Sequence, residues 1–137
     1  MGIKKLLGHR FLFVLVIVAT CALTWVSLSR IVIPVDVKVE GSDKIAHFIA
    51  YFGFTSIWFF FLFFSEKLNK TFKRSLIIAS ILCVLFGMLM EVLQALLTSY
   101  RSSEWYDVMA NTSGTIFVVF IFIVFKNKLI KLKQISR

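Results

Sequence analysis

Four long apolar runs constrain this chain more than anything else in it. They cover about residues 11–29, 45–64, 76–97 and 108–125. A helix needs about 20 apolar residues to cross the hydrocarbon core of a bilayer, and each run is long enough to do so with modest tilt. The expected fold is therefore all-α, a transmembrane bundle of four helices. Composition agrees, since 59% of the 137 residues are hydrophobic and only 17% are charged. A soluble domain of this size cannot hide that much apolar surface. Residues 1–137 are read as a single integral membrane domain, because the spans leave no length for a separate soluble one.

The first run has the basic flank of a secretory signal, in Lys4, Lys5 and Arg10. Its apolar part is longer than a usual signal core and no small-x-small site follows it, so it is read as an uncleaved span. Cys21 and Cys83 lie inside apolar runs without metal-ligand or disulfide spacing, and are expected to be packing residues. Phe59, Phe60, Phe61, Phe63 and Phe64 crowd the end of the second run and are expected to face lipid.

The formal net charge is +9. In a soluble domain that would point to nucleic acid, but here the placement of the charges points elsewhere. The N-terminal stretch, the second loop and the C-terminal tail hold three, four and five basic residues, twelve of the sixteen. Lys and Arg collect in cytoplasmic loops, so both termini are expected on the cytoplasmic side, and no nucleic-acid partner is expected. The Lys-rich tail should lie on anionic lipid, at about 1 kcal/mol per basic residue near the surface. In the first outer loop, residues 35–40 alternate Val-Asp-Val-Lys-Val-Glu with the period of a strand, although no second strand is available to pair with it.

Polar residues inside a span are costly, about 2.5–3.5 kcal/mol for a central charge on insertion scales, and they usually face the bundle interior. Here they form stripes. Lys44, His47 and Tyr51 share one face of the second helix. Gly87, Glu91, Gln94 and Thr98 share a face of the third, and Asp107, Asn111 and Gly114 share a face of the fourth. At 1.5 Å per residue, His47 and Tyr51 lie roughly 5 and 10 Å inward, Gln94 and Glu91 about 6 and 10 Å, and Asn111 about 6 Å. The three stripes meet at one level, in the outer leaflet, and the inner half has no comparable set.

Each residue also has a plain structural reading. Lys44 and Asp107 can be helix-end residues, Tyr51 an interfacial aromatic, Arg101 a lipid-phosphate contact. Gly87 and Gly114 can serve close packing, and Gln94 and Asn111 can be interhelical hydrogen-bond glue. Glu91 and His47 resist that reading most, because a carboxyl roughly two turns inside needs a proton, a cation or a function.

The ordered set Asp43-Lys44-x-x-His47-Phe48-x-x-Tyr51-Phe52, Gly87-x-x-x-Glu91-x-x-Gln94, Arg101 and Asp107-x-x-x-Asn111-x-x-Gly114 resembles the VanZ-like family of bacterial membrane proteins. The likeness runs from about Ser42 to Gly114. It departs at Glu104, Trp105 and Tyr106, where smaller or more acidic residues are expected. The resemblance implies a multi-pass protein of the bacterial plasma membrane, in a Gram-positive cell. The family is named for an accessory protein of glycopeptide resistance linked to teicoplanin-type lipoglycopeptides, and kinship with enzymes that process lipid head groups has been proposed for it.

Two uses of the extracytoplasmic pocket follow as expectations. In the first, the chain acts on a lipid-linked head group or cell-wall precursor. Lys44 and Arg101 would hold phosphate, His47 would act as base or nucleophile, and Glu91 would orient it. Asn111 and Gln94 would donate hydrogen bonds to developing charge. In the second, the same residues with Tyr51 and Asp107 only bind a membrane lipid, a precursor or a lipoglycopeptide. No cofactor and no metal is expected, a cation bridging Glu91 and Asp107 having no support in the spacing. Transport is disfavoured because the polar set stops short of the cytoplasmic half.

Overall fold

A computed structural model describes residues 7–29, 41–97 and 105–136 of the chain. Five helices follow one another: α1 (His9–Leu28), α2 (Ser42–Phe64), α3 (Phe72–Leu97), α4 (Trp105–Val124) and α5 (Lys126–Ser136). The first four are long and apolar enough to cross a membrane, and there is no strand among the described residues. The all-α, four-span expectation holds. Residues 35–40, Thr98 and Arg101, singled out above, lie outside the described residues.

Helix ends differ from the apolar runs by a few residues because polar first turns extend them. Before α2, Gly41 adopts φ 89, a left-handed conformation that favours glycine. Ser42, Asp43 and Lys44 then form a polar first turn outside the apolar run. α3 starts four residues before its apolar run, where the Thr71 hydroxyl accepts the Arg74 N–H at 3.4 Å. Between them the chain reverses at residues 65–71, using Asn69 at φ 40. Asn is among the few side chains that tolerate that region.

The helices run up and down. His9 of α1 bonds Ser65 just past the end of α2 at 2.6 Å, so these two are antiparallel. Phe59 and Phe63 of α2 meet Phe72 at the start of α3, and Glu91 near the end of α3 meets Asn111 near the start of α4. α2 and α4 are therefore parallel neighbours, and they form the most extensive contact in the bundle. The start of α1, the 65–71 turn and α5 share one end.

That end has an aromatic core. Phe59 is fully buried, Phe63 and Phe64 are 2% and 3% exposed, and Phe61 is buried too. The expectation that these Phe residues face lipid is overturned, only Phe60 being partly exposed. Five Phe in six positions surround the helix, so composition cannot pick out a face. Lipid tails are as apolar as Phe, and packing decides. Here α4 offers Phe122, whose ring lies 4.6 Å from that of Phe59, and α3 offers Phe72 at 5.4 Å. Such pairs are worth about 0.5–1.5 kcal/mol beyond the area they bury. The exposed apolar surface is instead spread over all four helices, through residues such as Val14, Ile49, Ile81, Leu85, Phe120 and Ile123.

The C-terminal tail is helical. α5 starts two residues after Val124 and presents Lys126, Lys128 and Lys131 outward. Lys133 turns inward, donating to the Lys70 carbonyl at 3.0 Å and sitting 4.4 Å from the Phe63 ring centre. The tail is thereby fastened to the turn between α2 and α3. Cys21 and Cys83 are free thiols, the first exposed and the second buried.

Candidate functional site

The opposite end of the bundle holds the polar residues. α2 and α4, running parallel, bring His47 against Asn111, with Nδ1 and Oδ1 3.0 Å apart. Close packing makes this register possible. A Cβ on Gly114 would stand 2.4 Å from the Phe48 carbonyl oxygen and 3.0 Å from the Phe52 nitrogen. Only glycine lets the two backbones approach so closely, as small residues do at membrane helix interfaces.

α3 approaches from the other side. Gly87 leaves room for the Tyr51 ring, whose nearest carbon would lie 3.0 Å from an added Cβ. One turn on, Glu91 Oε1 accepts a hydrogen bond from Asn111 Nδ2 at 3.4 Å and lies 4.0 Å from His47 Nδ1. Asn111 is thus the link between the two, and Glu91 acts on His47 chiefly through that amide.

The network fixes its own polarity. A carboxylate only accepts, so Asn111 turns its NH2 to Glu91 and its carbonyl oxygen to His47. His47 must then donate a hydrogen from Nδ1. Nε2 faces Asp43 Oδ1 at 3.7 Å and Asp107 Oδ2 at 4.0 Å. Asp43 and Asp107 occupy the first turns of α2 and α4, where the helix dipole favours a carboxylate. Glu91, Asp107 and Asn111 are all buried, while Asp43 keeps a side chain 52% exposed.

The structure therefore groups His47, Glu91, Asn111 and Asp107, with Tyr51 buried below them at 2% exposure. Lys44 is half-buried, three residues before His47 on the same helix. Gln94 is turned to α1, donating to the Ser27 carbonyl at 2.7 Å. The amides of Asn111 and Gln94, expected to face developing charge, are thus engaged with protein groups. Sequence reasoning quoted Asp43 only as part of a motif, although its i−4 spacing from His47 puts it on the same face. It also passed over Thr55 and Thr115, whose hydroxyls pair at 3.0 Å and carry the polar thread one turn deeper. Both sit four residues beyond stripe members, Tyr51 and Asn111. Ser27 gave no signal, because it contributes a backbone carbonyl.

Two spaces adjoin the cluster. A small cavity of about 90 Å³ between α1 and α2 is lined by Asp43, His47 and Tyr51 together with Leu23, Val26 and Ser27. A larger, almost wholly apolar cleft of about 420 Å³ separates the end of α3 from the start of α4. Glu91 is its one charged lining residue among the described residues, beside Met88, Val92, Leu96, Trp105 and Val108. A polar cavity and an apolar cleft thus flank one hydrogen-bonded relay.

No curated protein and no solved structure matches the chain. The family model described as VanZ/LLP1 matches residues 9–126, which takes in all four spans and the whole polar cluster. With its four apolar helices, the chain is a multi-pass membrane protein that belongs to the VanZ/LLP1 family.

Proposed function

We propose that the cluster receives the head group of a membrane lipid or lipid-linked cell-wall precursor from the extracytoplasmic leaflet and acts on it. The observation that carries this reading is the relay Glu91–Asn111–His47, which turns Nε2 of His47 toward the first turns of α2 and α4 at the mouth of the bundle. In this role Nε2 takes a proton from an attacking water or hydroxyl, and the resulting imidazolium is stabilised by Asp43 and Asp107. The apolar cleft beside Glu91 suits the hydrocarbon chain of such a lipid, or the acyl tail of a lipoglycopeptide. The sidedness rests on the basic residues at the other end, on the 65–74 segment and α5. In cells the consequence would be altered susceptibility to teicoplanin.

A binding role without chemistry is the competing reading, and one observation favours it. Asn111 and Gln94 spend their amides on protein partners, leaving few donors for a developing oxyanion. The two are separated by expressing the wild type and Glu91→Gln at matched membrane levels in a susceptible Gram-positive host. If the wild type shifts teicoplanin but not vancomycin inhibition and E91Q abolishes the shift, the relay acts on the ligand. A graded loss, about 1–3 kcal/mol for each hydrogen bond to a charged group, marks binding alone. Equal shifts by both proteins would make Glu91 structural and end the catalytic reading.

A further inference from the structure

We infer that a groove between α1 and α2 seats one hydrocarbon chain of a membrane lipid and brings a hydroxyl of its head group to the His47 side of the cluster. The inference deepens the reading above and rests on it, because it narrows the ligand to a lipid with a free hydroxyl on its head group.

Shape is the first argument. An apolar groove of about 360 Å³ runs between α1 and α2, a size within the roughly 300–1,000 Å³ of ligand pockets. Small residues hollow both walls, Ala19 and Ala22 on α1 and Ala50 and Gly53 on α2. Nothing lies within 4 Å of a Cβ position at Gly53, so the groove is open there. Ala22, Val26 and Ile49 are exposed, and the groove therefore opens sideways to the hydrocarbon layer.

Continuity with the polar cluster is the second. The groove shares Leu23, Val26 and Ala50 with the 90 Å³ cavity that Asp43, His47 and Tyr51 line, so the two form one slot, polar at the mouth and apolar below. It shares no residue with the cleft beside Glu91. Tyr51 is 2% exposed and its hydroxyl has no hydrogen-bond partner among the described residues, a costly state for a buried polar group. A ligand hydroxyl both accepts and donates, so it can take the Tyr51 hydrogen and give its own to Asp43. A carboxylate has about four acceptor sites and can take that bond beside those it already makes. The cavity matches the volume of about three waters, enough for a hydroxymethyl or glycerol end. Anything larger must project past Asp43, whose side chain is 52% exposed.

Length selects a lipid chain over a helix. From His47 to Ile57, the deepest α2 residue of the groove, the descent is about 15 Å, half of the roughly 30 Å hydrocarbon core. Below that level α1 and α2 close on each other, the centre of the Phe61 ring lying 5.6 Å from that of His9 and 5.9 Å from that of Phe13. A helix of a partner or of a second copy would need the groove to continue across the membrane. A chain belonging to one leaflet ends where the groove does.

The test uses the full chain in phosphatidylcholine nanodiscs, with monooleoylglycerol carrying a diazirine in its chain as the probe. The probe is uncharged, so the basic cytoplasmic end does not attract it. Photolabelling should be saturable and should map to peptides containing Ala22 or Gly53. Unlabelled monooleoylglycerol should compete, and methyl oleate, with the same chain and no hydroxyl, should not. Gly53→Leu fills open space and Tyr51→Phe removes an unpartnered hydroxyl, so both should unfold no more easily than the wild type. G53L should cut labelling about tenfold or more by occupying the groove, and Y51F about two- to tenfold, the loss of one neutral hydrogen bond. Ser113→Leu, an equal addition on the exposed side of α4, should leave labelling unchanged. Labelling that either G53L or Y51F leaves intact, or that methyl oleate competes equally, would overturn the proposal. A dimer in the nanodisc that G53L dissociates would put a second copy in the groove and overturn it too. Saturable labelling without a teicoplanin shift would leave the groove standing and remove only the susceptibility reading. A teicoplanin shift without saturable labelling would do the reverse.

Discussion

Gly114→Ala should be the most damaging single-methyl change in the bundle. The added Cβ would meet the Phe48 carbonyl oxygen at 2.4 Å, the Phe52 nitrogen at 3.0 Å and the Phe48 carbonyl carbon at 3.2 Å. All three are backbone atoms, so no side chain can swing aside. Restoring ordinary contact at 3.4 Å requires α2 and α4 to separate by about 1.0 Å over this turn. That cost belongs at the upper end of overpacking, about 2–3 kcal/mol, or roughly a 30–150-fold loss in the folding equilibrium. The shift also reaches the site, since Phe48 follows His47 and Asn111 lies one turn before Gly114. Their 3.0 Å bond would stretch to about 4 Å, beyond hydrogen-bonding distance. Tryptophan fluorescence during reversible unfolding in mixed micelles reads the stability. Gly53→Ala is the control, because nothing lies within 4 Å of its Cβ position, and it should gain about 0.5–1 kcal/mol of helix propensity. A G114A protein within 0.5 kcal/mol of wild type would refute the close-approach argument.

Phe59→Ala should cost about 3–5 kcal/mol by the same assay, since Phe59 is fully buried among Phe63, Phe72 and Phe122. Phe120→Ala, 63% exposed, should change stability by less than about 0.5 kcal/mol, and equal effects would return the Phe cluster to lipid. Thr115→Val should cost about 1 kcal/mol by stranding the Thr55 hydroxyl, while Thr55→Val combined with it should cost less than the two singles summed. Additive losses in that double-mutant cycle would mean the hydroxyls do not interact.

The bundle was legible in the sequence because bilayer thickness imposes its own length on apolar runs, and helix starts moved by two to four residues, as where Ser42-Asp43-Lys44 and Phe72-Lys73-Arg74 added a turn. The meeting of three stripes was legible for the same reason, depth being a count of residues along a helix. Which member touches which was not. Helical spacing places Asn111 and Glu91 at one level but cannot show that the amide stands between Glu91 and His47, or that Gln94 turns to the Ser27 carbonyl. Faces in the aromatic half were illegible because Phe59, Phe63 and Phe120 are alike to lipid. The tail gave only its charge, and its capture at the Lys70 carbonyl depends on Lys133 alone.

The parallel pairing of α2 with α4 bears on how the chain is made. His47 and Asn111 are 64 residues apart, and the whole of α3 must be synthesised between them. At about 5–20 residues per second, α2 waits roughly 3–13 s for its partner. During that interval its charged first turn, His47 and the Thr55 hydroxyl lack the groups on α4 that will satisfy them. α2 is then a reluctant span, best held beside the insertion machinery until α4 emerges. A ribosome stalled before Trp105 would leave a membrane-bound fragment whose polar groups on α2 still lack their partners on α4.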